Sequence, residues 1–296
     1  MKVVIGGANG LIGSELDRVL RARGDQVVAL VRSPRGPGEV KWDGRTVPPA
    51  VLDGADAAVN LSGANISARR WTDAYKKEVM DSRVESTRAF VEAMRSARPR
   101  PGVFVNASAV GFYGGRGDEE LTEESLPGAD FLAGVCKASE AEGSRAEELG
   151  VRTVLLRTGV VLAREGGALK QMLPPFKAFV GGPIGTGKQW FPWIHLADEV
   201  GLILWALDGS VRGPLNAVAP APVRMKEFAQ ALGRVLHRPA IFAVPALALR
   251  LGLGEMAEVL LDGQRAVPKK ALEGGYRFRF GDLEAALRDL VGSRAG

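Results

Sequence analysis

Lys2-Val3-Val4-Ile5-Gly6-Gly7-Ala8-Asn9-Gly10-Leu11-Ile12-Gly13 decides the fold. An apolar run leads through a glycine turn, and Ser14 to Gly24 then reads as a helix. A buried strand, a glycine turn and a helix N-terminus make a place for a diphosphate. Glycine lets the backbone approach phosphate oxygens, and the unpaired N–H groups of the first helical turn point at them. Gly7, Gly10 and Gly13 are spaced GxxGxxG rather than GxGxxG. A glycine-rich loop without a ligand is the plain alternative, and the flanking strand and helix argue against it.

Outward from this stretch, apolar runs recur at Val27–Val31, Val40–Trp42, Ala57–Leu61, Val103–Ala107 and Val151–Leu156. Between them the spacing predicts a long helix over about 72–96 and another over 133–149. Strands alternating with helices imply an α/β fold, a doubly wound parallel sheet covered on both faces, with its ligand at the carboxyl ends of the strands. That rule gathers Gly7, Arg32, Asn60 to Ala64, Ser108 and Arg157 around one crevice. Beyond residue 160 the pattern loosens, and from about 240 helix, turn and short strands suggest a small α+β substrate lobe. The expected division is a dinucleotide-binding domain over 1–240, with lobe insertions after about 165, and a C-terminal domain over 241–296.

The 296 residues suffice for a substantial core. No apolar run approaches the length of a membrane span, and Met1-Lys2 leaves no room for a signal peptide ahead of the first strand. Cys136 is the only cysteine, which excludes an intrachain disulfide and suits a reducing cytoplasm. Net charge is +5, without a dense basic block. Composition therefore gives little support to nucleic-acid binding, and mild basicity suits an anionic cofactor or substrate. No His/Cys/Asp cluster has metal-ligand spacing, so no metal is expected. Gly182 to Lys188 satisfies GxxxxGK, but Gln189 replaces the magnesium-binding hydroxyl and Pro192 stands where the phosphate-binding helix should begin. This stretch reads instead as a loop near the substrate, with Lys188 and Trp190 as candidate contacts.

These residues resemble a known family. Gly7–Gly13 is similar to the extended short-chain dehydrogenase/reductases. Several stretches resemble an atypical "epimerase family" subgroup, cell-division-inhibitor-like or nucleoside-diphosphate-sugar-epimerase-like. They are Val59–Ile66, Arg70-Trp71-Thr72, Ser82-Arg83, Ser108–Gly114, Leu156–Leu162, Gly181–Gly185, Trp193-Ile194-His195 and Gly263–Lys269. The resemblance implies a Rossmann-type domain, a nicotinamide dinucleotide and a small substrate lobe. It names no substrate; a small polar molecule such as a nucleotide sugar is the expectation, handled by a monomer or homodimer.

The residue ending the second strand reads the adenosine ribose, an acid favouring NAD and an arginine accommodating the 2′-phosphate. Arg32-Ser33 stands there, so NADP is expected, with NAD the alternative; a solvated surface arginine would read the same. Asp43 is a candidate for the adenine amine. Gly7, Ala8, Asn9, Gly10, Leu11, Ile12 and Gly13 would hold the diphosphate, and Asn60, Leu61, Ser62 and Gly63 the cofactor wall, unless these last form a plain turn.

Reductases of this kind use Ser, Tyr and Lys. Ser108 matches the serine position and Lys137 sits on the following helix, but YxxxK would put its tyrosine at residue 133, which is Ala133. Tyr113 is the substitute phenol, if it is more than a pocket wall, and Lys137 is otherwise a solvated helix charge. His195 is an alternative acid or base or a packed structural histidine. Arg157 would meet an anionic substrate or pair with a carboxylate, and Cys136 reads as a buried inert thiol. The leading expectation is an NADP(H)-dependent oxidoreductase or epimerase. Its rival is a cofactor-binding regulatory or interaction protein, which Ala133 favours.

Overall fold

The computed structural model describes residues 1–292; positions 293–296 of the expected C-terminal domain lie outside the described residues. Seven strands form one sheet: β1 (Lys2–Gly6), β2 (Gln26–Val31), β3 (Glu39–Lys41), β4 (Ala57–Asn60), β5 (Val103–Ala109), β6 (Arg152–Thr158) and β7 (Gly213–Ala217). Their order is β7-β6-β5-β4-β1-β2-β3, parallel throughout. The order reverses between β1 and β4, the switch point at which such sheets bind ligands.

The apolar runs are continuous because both faces are buried. Val3, Ile5, Val59, Val105 and Leu156 share a core with Leu16 and Leu20 of α1 (Leu11–Ala22). Val4, Ala58 and Phe104 face the other way, against Phe90 and Met94 of α2 (Asp73–Ser96). Successive residues of a strand point to opposite faces, so one run supplies two cores.

Helix α1 begins directly after Gly10, three residues before the expected Ser14. Helix α3 (Phe131–Ser144) also starts early, because Asp130 caps it by accepting the Ala133 N–H at 2.9 Å. Its expected tail is a separate 3₁₀ turn, Arg145–Leu149. Beyond β6 come α4 (Gly167–Lys177), α5 (Leu196–Asp208) and α6 (Met225–Leu236). The distinct C-terminal α+β region contains α7 (Ala246–Leu253), α8 (Ala257–Leu261), the short strand Arg265–Ala266 and α9 (Leu283–Val291). It is tied back to the main body. Arg265–Ala266 pairs in parallel with Glu120–Leu121, and Leu287 and Leu290 of α9 pack on Phe228 and Leu232 of α6. Among the described residues no helix is long and apolar enough to cross a membrane.

Candidate functional site

The turn after β1 is built so that no side chain fits in it. Gly7 has φ +78°, and a Cβ there would lie 2.8 Å from the Leu61 carbonyl. A Cβ on Gly13 would lie 2.2 Å from the Gly7 carbonyl oxygen. Gly10 donates its N–H to that same oxygen at 2.9 Å and then, as N-cap of α1, offers no side chain to the first-turn amides. The amides of Leu11, Ile12 and Gly13 face the cleft with the positive end of the helix dipole behind them. This cradle fits a diphosphate. Asn9 and Gly10 are exposed on its rim, and buried Ala8 packs beneath it.

Arg32 and Ser33 are exposed just past the end of β2, and no carboxylate occupies either position. Asp43 is exposed, and its Oδ1 accepts the N–H groups of Arg45 at 2.8 Å and Thr46 at 3.2 Å, which leaves Oδ2 outside the turn. Those backbone bonds also hold its carboxyl below the usual range. Asn60 lies beneath the wall rather than on it. It is buried, donates to Asn106 Oδ1 at 3.0 Å and accepts the Ser62 N–H at 3.1 Å. Leu61 contributes backbone, its N–H bonded to Gly6. The Ser62 hydroxyl is buried beside Gly6 without a partner among the described residues, a polar atom left over for a ligand.

Gly63 leaves room for Arg83, whose Cζ would be 3.0 Å from a Cβ there. Arg83 donates through Nη1 to the carbonyls of Ala64 and Val79 and forms no ion pair among the described residues. Burial pushes its pKa down. Sequence reasoning passed over this guanidinium, although Ser82-Arg83 was among the family-like stretches.

Ser108 tops a buried chain of polar groups. Its Oγ donates to Glu140 Oε1 at 2.7 Å. Arg157 grips the same carboxylate with Nε at 2.9 Å and Nη2 at 2.8 Å, and donates through Nη1 to the Tyr113 hydroxyl at 3.0 Å. Tyr113 in turn donates to Asn216 Oδ1 at 2.7 Å. Two expectations are thereby corrected. Arg157 is 3 % exposed, locked to Glu140 and laid on the Phe112 ring at 3.4 Å, so it is a structural ion pair rather than a substrate contact. Tyr113 is fully buried with its phenol committed on both sides, and burial drives its pKa up.

Lys137 is corrected too: it is exposed on the outer face of α3. The inward face carries Leu132 and Cys136, one turn apart. Leu132 lines the cavity described below, and the Cys136 thiol donates to the Ala109 carbonyl at 3.7 Å. The cysteine is buried, and burial raises its pKa, which fits an inert thiol.

A cavity of 440 Å³ opens over the carboxyl ends of β5 and β6, bounded by Ala109, Gly111, Thr158 and Gly159 below and by residues 255–264 above. Trp190 lines it, with its indole N–H given to Asp118 at 2.9 Å. Lys188 is exposed and is not among the lining residues. His195 is not among them either. It caps α5 by accepting the Ala197 N–H on Nδ1 at 3.0 Å, stacks on Phe280 at 3.9 Å and meets Asp289 through Nε2 at 3.2 Å. Burial lowers its pKa, so it is a neutral structural histidine.

The model of the NAD dependent epimerase/dehydratase family matches residues 3–218, and a domain of unknown function, DUF1731, matches residues 244–290. The human epimerase family protein SDR39U1 is 40% identical over 297 residues, covering 98% of this chain and 100% of its own. The epimerase family protein YfhF of Bacillus subtilis is 38% identical, covering 99% of each chain. A crystal structure of human SDR39U1 isoform 2 with NADPH superposes with a TM-score of 0.92 at 39% identity, covering 98% of this chain and 99% of that one. The chain belongs to the NAD dependent epimerase/dehydratase family, among the epimerase family proteins that include SDR39U1.

Proposed function

We propose that the protein is an NADP(H)-binding enzyme of oxidoreductase or epimerase type acting on a small molecule. The observation that carries this reading is the side-chain-free cradle of Gly7, Gly10 and Gly13 under the amides of α1, with Arg32 rather than an acid at the end of β2. The relative crystallised with NADPH supports the phosphorylated cofactor. When bound, that group would supply or accept a hydride at its nicotinamide.

The chain's own residues do the rest. The amides of Leu11 to Gly13 hold the diphosphate, and Arg32 with Ser33 holds the 2′-phosphate through charge-assisted bonds. Ser62 and Arg83 serve the crevice beyond them. Ser108 stands next to Ala109 of the cavity wall and gives its proton to Glu140, so its oxygen is left to accept a hydrogen bond from a substrate hydroxyl. Residues 1–240 would form the cofactor-binding unit, with insertions after about 165, and 241–296 a C-terminal domain whose residues 255–264 cover the cavity. The single cysteine, buried at position 136, suits a cytoplasmic setting.

A second reading, cofactor-linked regulation without turnover, draws on one observation: on the inward face of α3 Leu132 meets the cavity and Cys136 the Ala109 carbonyl, and neither moves a proton at neutral pH. Titration with NADPH and NADH, followed by reduced-nicotinamide fluorescence, tests the main reading. Saturable binding with NADPH preferred is expected. No saturation with either would overturn it.

A further inference from the structure

The cavity beside Ser108 has walls that specify a chemical class. Trp71, Phe131, Leu132, Met172 and Trp190 give it a largely apolar surface, and 440 Å³ is a usual size for a small-molecule site. All four charged residues lining it are acidic: Asp130, Glu255, Glu258 and Asp262. Glu255 is paired with Lys76 and Glu258 with Arg250 at 2.9 Å, so these two cations at the edge are already neutralised. The two guanidiniums against the Trp190 ring, Arg224 and Arg265, are held by Asp118 at 2.8 Å and Glu120 at 3.4 Å. Asp262 has no ion-pair partner among the described residues, and burial with Glu258 and Asp130 nearby pushes its carboxyl up.

The neutral polar groups point the same way. Gln189 gives both amide protons to the carbonyls of Ile184 and Leu260. The Trp190 indole proton goes to Asp118 and the Thr158 hydroxyl proton to Glu199. The walls therefore offer acceptors and few donors. A phosphate or carboxylate would bring negative charge among carboxylates with no cation among the residues that line the cavity, and like charges in a partly desolvated site repel strongly.

We propose that this cavity takes an uncharged, largely apolar carbonyl compound or its alcohol, and not a nucleoside diphosphate. The proposal rests on the cofactor reading for its chemistry, but the selectivity of the walls stands apart from it.

Intrinsic tryptophan fluorescence reads the cavity directly, because Trp71 and Trp190 line it. The full chain, with and without NADPH, is titrated with benzylacetone and with UDP-glucose. Benzylacetone is expected to saturate at or below about 1 mM, the range of a weak apolar ligand, and UDP-glucose to leave the signal unchanged at about ten times that concentration. Met172→Glu should weaken benzylacetone at least about tenfold, since it buries a charge in the apolar wall. The melting temperature of that variant checks that it folds. UDP-glucose binding more tightly than benzylacetone, binding of neither, or a Met172→Glu protein with undiminished affinity would overturn the proposal. NADPH titrated alone reports separately on the cofactor reading, so the two fail independently.

Discussion

Glu140 and Arg157 are joined by two parallel hydrogen bonds of 2.8 and 2.9 Å, and both side chains are under 10 % exposed. The pair connects α3 to β6, and Ser108 of β5 donates to the same carboxylate. Its energetic meaning lies in what happens when one partner is removed. Arg157→Met leaves Glu140 buried without a counter-charge and should cost about 3–5 kcal/mol. The double variant Arg157→Met, Glu140→Leu should recover much of that loss. Urea unfolding of the three proteins checks both expectations; equal stabilities for the single and double variants would contradict them.

Gly13→Ala should abolish NADPH binding, because the new Cβ would lie 2.2 Å from the Gly7 carbonyl oxygen and force the cradle apart. Gly134→Ala is the control. Nothing lies within 4 Å of a Cβ at that helical position, so it should leave affinity unchanged and gain up to about 1 kcal/mol in stability. Fluorescence titration and thermal melts separate the two.

Arg32→Glu should weaken NADPH by roughly 10- to 100-fold, the worth of one or two charge-assisted bonds. NADH, which lacks the 2′-phosphate, should change by less than about threefold. Parallel titrations with the two coenzymes decide it, and an equal loss for both would assign Arg32 to the diphosphate instead.

Glu199 predicts a pH dependence. It is fully buried, accepts the Thr158 hydroxyl at 2.7 Å on one oxygen and has no partner among the described residues on the other. Burial pushes its carboxyl from 4.5 to about 8. The folded state therefore holds this proton more tightly than the unfolded chain. Its contribution to stability is complete below about pH 4.5 and is lost as pH rises toward 8. At about 1.36 kcal/mol per unit, the change amounts to several kcal/mol. Glu199→Gln removes the titration, so its melting temperature should stay level from pH 5 to 9 while that of the unaltered protein falls. Parallel pH profiles would expose the assignment as wrong.

What the sequence reveals follows from how local each signal is. The Val3–Gly13 unit is legible because strand, turn and helix start are consecutive, and both faces of the strands are apolar in one run. Ser108 is legible from the end of its strand. The helix after it is legible only in outline. Its start is set by the Asp130 cap, and its inward face by packing against β5, so Cys136 and Leu132 turn inward and Lys137 outward. Residues adjacent in sequence stand about 100° apart around a helix, which is enough to exchange a crevice for solvent. Arg83, and the bond of Glu140 to Arg157, depend on contacts between separate elements and carry no local signature. The acids at 255–262 come to the cavity only because the C-terminal region folds back across it.

That return has a consequence for motion. The covering segment is fastened at both ends: Val244 bridges Ile184 at its entry, and Arg265–Ala266 is hydrogen-bonded beside Glu120–Leu121 at its exit. Between these two clasps, α7 buries no residue, and Leu247 and Leu251 are about 70 % exposed. With so little of it buried, this span can loosen while its ends stay knotted to the body. Amide hydrogens of residues 246–261 should exchange well ahead of those in β5 and β6, and slow on ligand binding; uniform protection would mean the span does not loosen.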